Sequence, residues 1–217
     1  MSTRLESLVL PGPAGALEAV LHRREGMTPE ITALVCHPHP LHGGTLHNKV
    51  VHRVASVLHE LGADVLRFNF RGAGASEGEH DEGRGELEDA RAALCWLEAR
   101  SPGARRWLAG FSFGAWIAAR LAVAEPVERL ILISPPVQRS DFDLLRESAT
   151  PKLVVQGTAD EVCPLAALEK VYPSWREPKQ LILVPDASHF YDRQLGGLAD
   201  ALRQGLSELP GPAPRPS

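Results

Sequence analysis

Between Arg105 and Ile117 a short apolar run, Trp107-Leu108-Ala109, breaks at Gly110-Phe111-Ser112-Phe113-Gly114 and resumes at helical spacing. That order reads as a buried strand, a sharp turn and a helix. At such a turn the middle residue is forced into a strained backbone conformation, and its side chain stands clear of the carboxyl edge of a sheet. Ser112 is that residue. Gly110 and Gly114 suit the geometry, because a Cβ two residues to either side would meet the neighbouring strand or the helix closing over it. The helix also brings its first N–H groups and its positive dipole end beside the hydroxyl, where a developing anion is stabilised. Gly and Ser are common turn residues as well, so the setting of the motif decides what it means.

The setting is a regular alternation of strands and helices. Leu5–Leu10 and Leu17–His22, split by Pro11-Gly12-Pro13, read as an antiparallel pair. Ile31–Cys36 is an almost continuous apolar run, as expected of a strand covered on both faces. It ends in His37-Pro38-His39-Pro40, where two prolines forbid both ladder pairing and helix. Val50, Val54, Leu58 and Leu61 then recur at helical spacing, and a strand follows from Asp64 to Phe70. A helix carrying Leu87, Ala90, Leu94 and Leu97 leads to the Trp107 strand and its helix through Ala124. Strands at Leu130–Ile133, Leu153–Val155 and Leu181–Val184 complete the series, with helices at Pro164–Tyr172 and around Leu195, Leu198, Leu202 and Leu206. Nineteen residues separate Leu130–Ile133 from Leu153, room for one short helix near Asp141–Arg146 and nothing larger. The expected fold is therefore an α/β one: a mostly parallel sheet with an antiparallel N-terminal pair, helices on both faces, and no cap domain.

A chain of 217 residues supports one core of this kind, so residues 1–209 are expected to form one domain and the Pro-rich stretch 210–217 a disordered tail. A net charge of -4 with no basic run argues against a nucleic-acid surface. Arg4 and Glu6 interrupt the apolar N-terminus, which leaves neither a secretory h-region nor a membrane span and points to a cytoplasmic location. Cys36, Cys95 and Cys163 are odd in number and contain no CxxC pair, so they read as small buried hydrophobes.

Ligands of a parallel sheet bind at the carboxyl ends of its strands. Asp160 follows one such strand and His189 the next, so the order along the chain is Ser112, Asp160, His189. A serine hydroxyl becomes a nucleophile when a neutral imidazole takes its proton, and the imidazole needs an acid to set its tautomer and hold its cationic form. Taken together the three residues read as catalytic. Asp186, three positions before His189, is the reserve choice for the acid. The oxyanion of an acyl transfer needs two donors, expected from the Phe113 and His39 N–H groups, since Pro38 and Pro40 have none. His37, His39, His42, His47 and His52 raise the alternative of a metal site, but no acidic residue lies between Cys36 and His59 to support one. No metal and no cofactor are expected. Arg71 and Ser76 read as holding their glycine-bearing loop, and His80-Asp81-Glu82 as solvated surface.

With these residues in place, the chain resembles the α/β-hydrolase superfamily along nearly its whole length. His37-Pro38-His39-Pro40, then Gly43-Gly44, then Asn69-Phe70-Arg71-Gly72-Ala73-Gly74-Ala75-Ser76 resemble a group of small cap-less bacterial hydrolases, though relatives often carry His-Gly-x-Pro at the first motif. The resemblance implies an esterase or thioesterase working through an acyl-enzyme on a small-molecule substrate. The absence of a cap implies an open cleft, with His42, Phe142 and Phe190 as substrate contacts and Phe113 and Tyr191 as further candidates for its walls. Two other readings stand beside this one: a hydrolase-fold ligand-binding protein without turnover, and a serine peptidase or lipase on the same fold. Epoxide hydrolase and dehalogenase chemistry needs a carboxylate where Ser112 stands.

Overall fold

The computed structural model describes residues 3–210, so the expected tail beyond Pro210 lies outside the described residues. Eight strands form one sheet: β1 (Thr3–Gly12), β2 (Gly15–Arg24), β3 (Ile31–Cys36), β4 (Ala63–Phe68), β5 (Arg105–Phe111), β6 (Arg129–Ile133), β7 (Lys152–Gly157) and β8 (Lys179–Val184). Their spatial order is β1-β2-β4-β3-β5-β6-β7-β8. β2 pairs antiparallel with both β1 and β4, and every pair from β4 onward is parallel. The expected opening hairpin is present, and β2 alone runs against the rest.

The continuous apolar runs are explained by burial on two sides. Along β5 and β6, Trp107, Ala109, Phe111, Ile131 and Ile133 face one core, while Leu108, Leu130 and Leu132 face the other. The first core is closed by α1 (Lys49–Glu60) and α5 (Leu195–Glu208) through Val50, Val54, Leu58, Leu198 and Leu202. The second is closed by α2 (Arg84–Arg100) and α3 (Phe113–Ala124), with Leu168 of α4 (Leu165–Val171) at its edge. Fully burying one such Leu or Val contributes about 1.5–3 kcal/mol, so these two faces supply most of the drive to fold. Asn48 starts α1 by accepting the Val50 and Val51 N–H groups on its side chain. Leu61, grouped with the α1 stripe by spacing, falls at the helix C-cap and is exposed.

Residues 134–151, between β6 and β7, hold a single 3-10 turn, Asp143–Arg146. No cap covers the carboxyl edge of the sheet there. No described helix is long and apolar enough to cross a membrane.

Candidate active site

Ser112 sits between β5 and α3 with φ 54° and ψ −120°, a conformation that costs on the order of 1–3 kcal/mol for a residue with a side chain. The turn is held on both sides: the Ser112 N–H donates to the Ile133 carbonyl at 2.9 Å, and its carbonyl accepts from Ala115 at 2.8 Å. A Cβ on Gly110 would overlap the Gly114 carbonyl, and one on Gly114 would overlap the carbonyls of Cys36 and His37. Glycine at these two positions is what lets β5, α3 and the end of β3 come together around the serine.

His189 and Asp160 reach the same point from the ends of β8 and β7. His189 Nε2 lies 3.2 Å from Ser112 Oγ, and Nδ1 lies 2.9 Å from Asp160 Oδ2 and 3.1 Å from Oδ1. Asp160 is almost wholly buried. Its Oδ1 accepts the Val162 and Cys163 N–H groups at 3.0 and 2.7 Å, and Oδ2 accepts Gln156 Nε2 at 3.1 Å. Burial pushes this carboxyl upward, but the His189 hydrogen bond and the Cys163 N–H outweigh it and hold the carboxyl below its ordinary range. Asp186 is exposed at the adjacent turn, where its N–H donates to Thr158 Oγ1, and Asp160 is the residue hydrogen-bonded to His189.

The loop between β3 and α1 forms one wall, and the second sequence motif supports it from below. His37 is fully buried; its Nδ1 faces the Pro38 carbonyl at 2.6 Å and its Nε2 accepts the Phe70 N–H at 3.0 Å. Asn69 Oδ1 accepts the Leu46 N–H at 2.6 Å, while Asn69 Nδ2 donates to Glu18. Ser76 Oγ donates to the Asn69 carbonyl, and Arg71 grips Asp89 through two guanidinium nitrogens at 2.7 and 3.0 Å. Arg71 and Ser76 thus hold their loop, which in turn holds the 37–46 segment. The His39 and Phe113 N–H groups have no acceptor among the described residues, and both residues line the cleft that contains Ser112.

That cleft has about 190 Å³ of free space, walled by His39, His42 and Asn48 on one side, Pro136, Arg139 and Ser140 on another, and Val162, Cys163 and Phe190 near His189. His42 and Phe190 are therefore at the cleft. Phe142 is not: it is buried and stacks on Trp175 with centroids 5.7 Å apart, because the short 134–151 connection folds back onto the core instead of over the site. Tyr191 is likewise core, its hydroxyl donating to the Val155 carbonyl at 3.2 Å.

Two further expectations need correction. Cys95 is exposed, since it falls on the outer side of α2, whereas Cys36 and Cys163 are buried. His80-Asp81-Glu82 is solvated at Asp81 and Glu82 but not at His80. His80 packs against His39 and lies 2.8 Å from the buried Glu86 carboxylate, and Asp81 accepts the Gly85 N–H at the start of α2. Of the histidines weighed as metal ligands, His37 is engaged as above, His39 stacks on His42, and His52 lies edge-on to His22. The donor atoms that do converge among the described residues belong to Asp160, Cys163 and His189, within 4.8 Å of one another. Burial pushes the Cys163 thiol up to about 12, which keeps it protonated, and the Asp160 oxygens are already occupied by four donors.

Gln156, Cys163 and Arg139 are among the site residues that sequence reasoning missed. A polar residue closing the apolar run Leu153-Val154-Val155 was the available signal for the first.

Residues 37–143 match the sequence profile of a family described as serine aminopeptidase, S33. The fold superposes on an alpha-beta serine hydrolase homologue from Coxiella burnetii with a TM-score of 0.89 and 42% identity, covering 95% of this chain and 99% of that one. It superposes on an a/b serine hydrolase without lid from Xanthomonas campestris with a TM-score of 0.88 and 40% identity, covering 99% of each. An uncharacterised protein of Rickettsia prowazekii is 42% identical over 156 residues, which are 70% of this chain and 65% of that protein. The chain thus spans slightly less than two thirds of that relative, and the same holds at 64% for one from Mycobacterium tuberculosis. With a serine hydrolase homologue matched at this identity over nearly its full length, the chain belongs to the α/β-hydrolase superfamily.

Proposed function

We propose that the protein cleaves carboxylic esters or thioesters through an acyl-enzyme on Ser112. The observation that carries this is the continuous contact from Asp160 Oδ2 to His189 Nδ1 (2.9 Å) and from His189 Nε2 to Ser112 Oγ (3.2 Å). With a proton on Nδ1 facing the carboxylate, Nε2 is free to accept the serine proton. Ser112 Oγ attacks the substrate carbonyl carbon as its proton passes to His189, and Asp160 stabilises the resulting imidazolium. The carbonyl oxygen, now an anion, is received by the His39 N–H of the loop after β3 and the Phe113 N–H at the start of α3. Collapse breaks the bond to the alcohol or thiol, which leaves with the proton from Nε2. A water then gives its proton to His189 and attacks the acyl carbon, and Ser112 regains its proton as the acid departs.

His42 and Phe190 contact the bound substrate in this scheme. No Asp or Glu lines the cleft among the described residues, so nothing there is suited to receive the α-ammonium group of a peptide, which favours esters over aminopeptidase substrates. The test is steady-state cleavage of p-nitrophenyl esters and acyl thioesters of graded chain length by wild type and Ser112→Ala. Turnover by wild type that disappears in a folded Ser112→Ala supports the assignment. A folded wild type that turns over none of them points instead to ligand binding without catalysis.

A further inference from the structure

The loop after β6 puts a cation in the cleft that the scheme above does not use. Pro135 and Pro136 end the strand, and the chain then turns tightly: Val137 N–H donates to the Pro135 carbonyl, while Arg139 and Ser140 N–H both donate to that of Pro136, all at 2.9–3.0 Å. Gln138 Nε2 fastens this loop to the Val162 carbonyl at 2.6 Å, so it is tied to the segment that carries Asp160. The Arg139 backbone is held in this loop, and the residue lines the same cleft as Ser112 and His189.

Several arginines elsewhere in the chain are committed to carboxylates. Arg71 pairs with Asp89, Arg91 with Glu88 and Glu125, Arg106 with Glu98, and Arg203 with Glu60 and Asp200. The Arg139 guanidinium has no ion-pair or hydrogen-bond partner among the described residues, and no carboxylate lines the cleft to neutralise it. Its field also reaches inward: burial is the main influence on the Cys163 thiol, and the Arg139 charge acts on the same thiol in the opposite sense. A guanidinium offers a planar fork of donors that fits a carboxylate with two parallel hydrogen bonds and repels an ammonium group.

We infer that Arg139 is a substrate-recognition residue, and that the preferred substrates are esters or thioesters bearing a carboxylate on the part that lies over residues 136–140. This assignment depends on ester cleavage at Ser112 as proposed above. It adds a chemical class to an otherwise open acyl or leaving group.

Three esters test it: p-nitrophenyl butyrate, which is neutral; mono-p-nitrophenyl glutarate, with its carboxylate on the acyl side; and 4-butyryloxybenzoate, with its carboxylate on the leaving side. The quantity read is kcat/KM for each anionic ester divided by that for the neutral one. In Arg139→Gln this ratio is expected to fall about tenfold or more for one of the two anionic esters, mainly through KM, and Arg139→Glu should lower it further. Added salt should lower the wild-type ratio as well, since a contact at the cleft mouth is screened. Whichever anionic ester responds shows on which side of the scissile bond the arginine acts. Ratios unchanged for both in Arg139→Gln would overturn the inference while leaving ester cleavage intact. A wild type inactive on all three would remove ester cleavage and this assignment together.

Discussion

The Phe70 N–H donates to His37 Nε2 at 3.0 Å, joining the end of β4 to the end of β3 beneath the cleft. Because that nitrogen accepts, the proton sits on Nδ1, which faces the Pro38 carbonyl at 2.6 Å. The wall that carries His39 therefore hangs on one neutral, fully buried imidazole.

Replacing His37 with alanine leaves the Phe70 N–H buried without an acceptor and opens a cavity. The expected loss of stability is about 2–4 kcal/mol. Ester turnover should fall by more than unfolding accounts for, because the His39 N–H is no longer held in place. Urea denaturation monitored by tryptophan fluorescence, with kinetics on the folded fraction, checks both. A variant with wild-type stability and turnover would show that this hydrogen bond does not position the loop.

His37 also sets an acid limit on stability. Burial pushes it down to about 4 from its ordinary 6.5, and His22 is pushed down to about 3 by burial and then by Arg67. Between those values and 6.5 the unfolded chain takes up protons that the folded chain refuses, so stability is greatest above pH 6.5 and declines as pH falls toward 4. For His37 alone the decline amounts to roughly 3 kcal/mol. The Asp160 carboxyl, held below its ordinary range in spite of burial, adds a loss at still lower pH: its contribution is present above the unfolded carboxylate value and disappears as pH falls through the folded one. Melting temperatures from pH 8 to pH 4 should drop steadily below 6.5. A flat profile across that window would contradict the buried neutral state of His37.

Asp160→Asn retains the shape of the carboxylate but removes its charge and allows the amide to misdirect the His189 tautomer. Turnover should fall by about three to four orders of magnitude with the fold preserved. Gln156→Leu should cost less, since it removes one donor to Asp160 Oδ2 while Val162 and Cys163 still hold Oδ1. Circular dichroism and ester kinetics on the two variants rank them. Equal losses would mean that Gln156 does more than orient the acid.

The alternation of elements was legible because each strand from β3 to β7 is an apolar run buried on two faces, a pattern that survives without knowledge of its partners. Ser112, Asp160 and His189 could be picked out because each follows a strand end in the order the chemistry requires, with glycines marking the tightest turn. What could not be read depends on contacts between distant positions. Asn69 acts on Leu46 and His37 on Phe70, so both motifs were visible while their shared task of holding the 37–46 loop was not. Phe142 looked like a cleft wall because it lies in the loop after β6, yet Trp175, far along the chain, draws it into the core. Cys163 lies three residues from Asp160, close enough to flag, but its place in the cleft follows from the way Asp160 folds that segment around its own carboxylate.

The central claim is that His189 makes the Ser112 hydroxyl a nucleophile. Reaction of the intact protein with a fluorophosphonate, followed by peptide mass mapping, tests it most directly. One adduct per chain on Ser112, absent in Ser112→Ala and strongly slowed in His189→Ala, is the predicted result. A folded wild type that takes up no adduct, or carries it on another residue, would contradict the account.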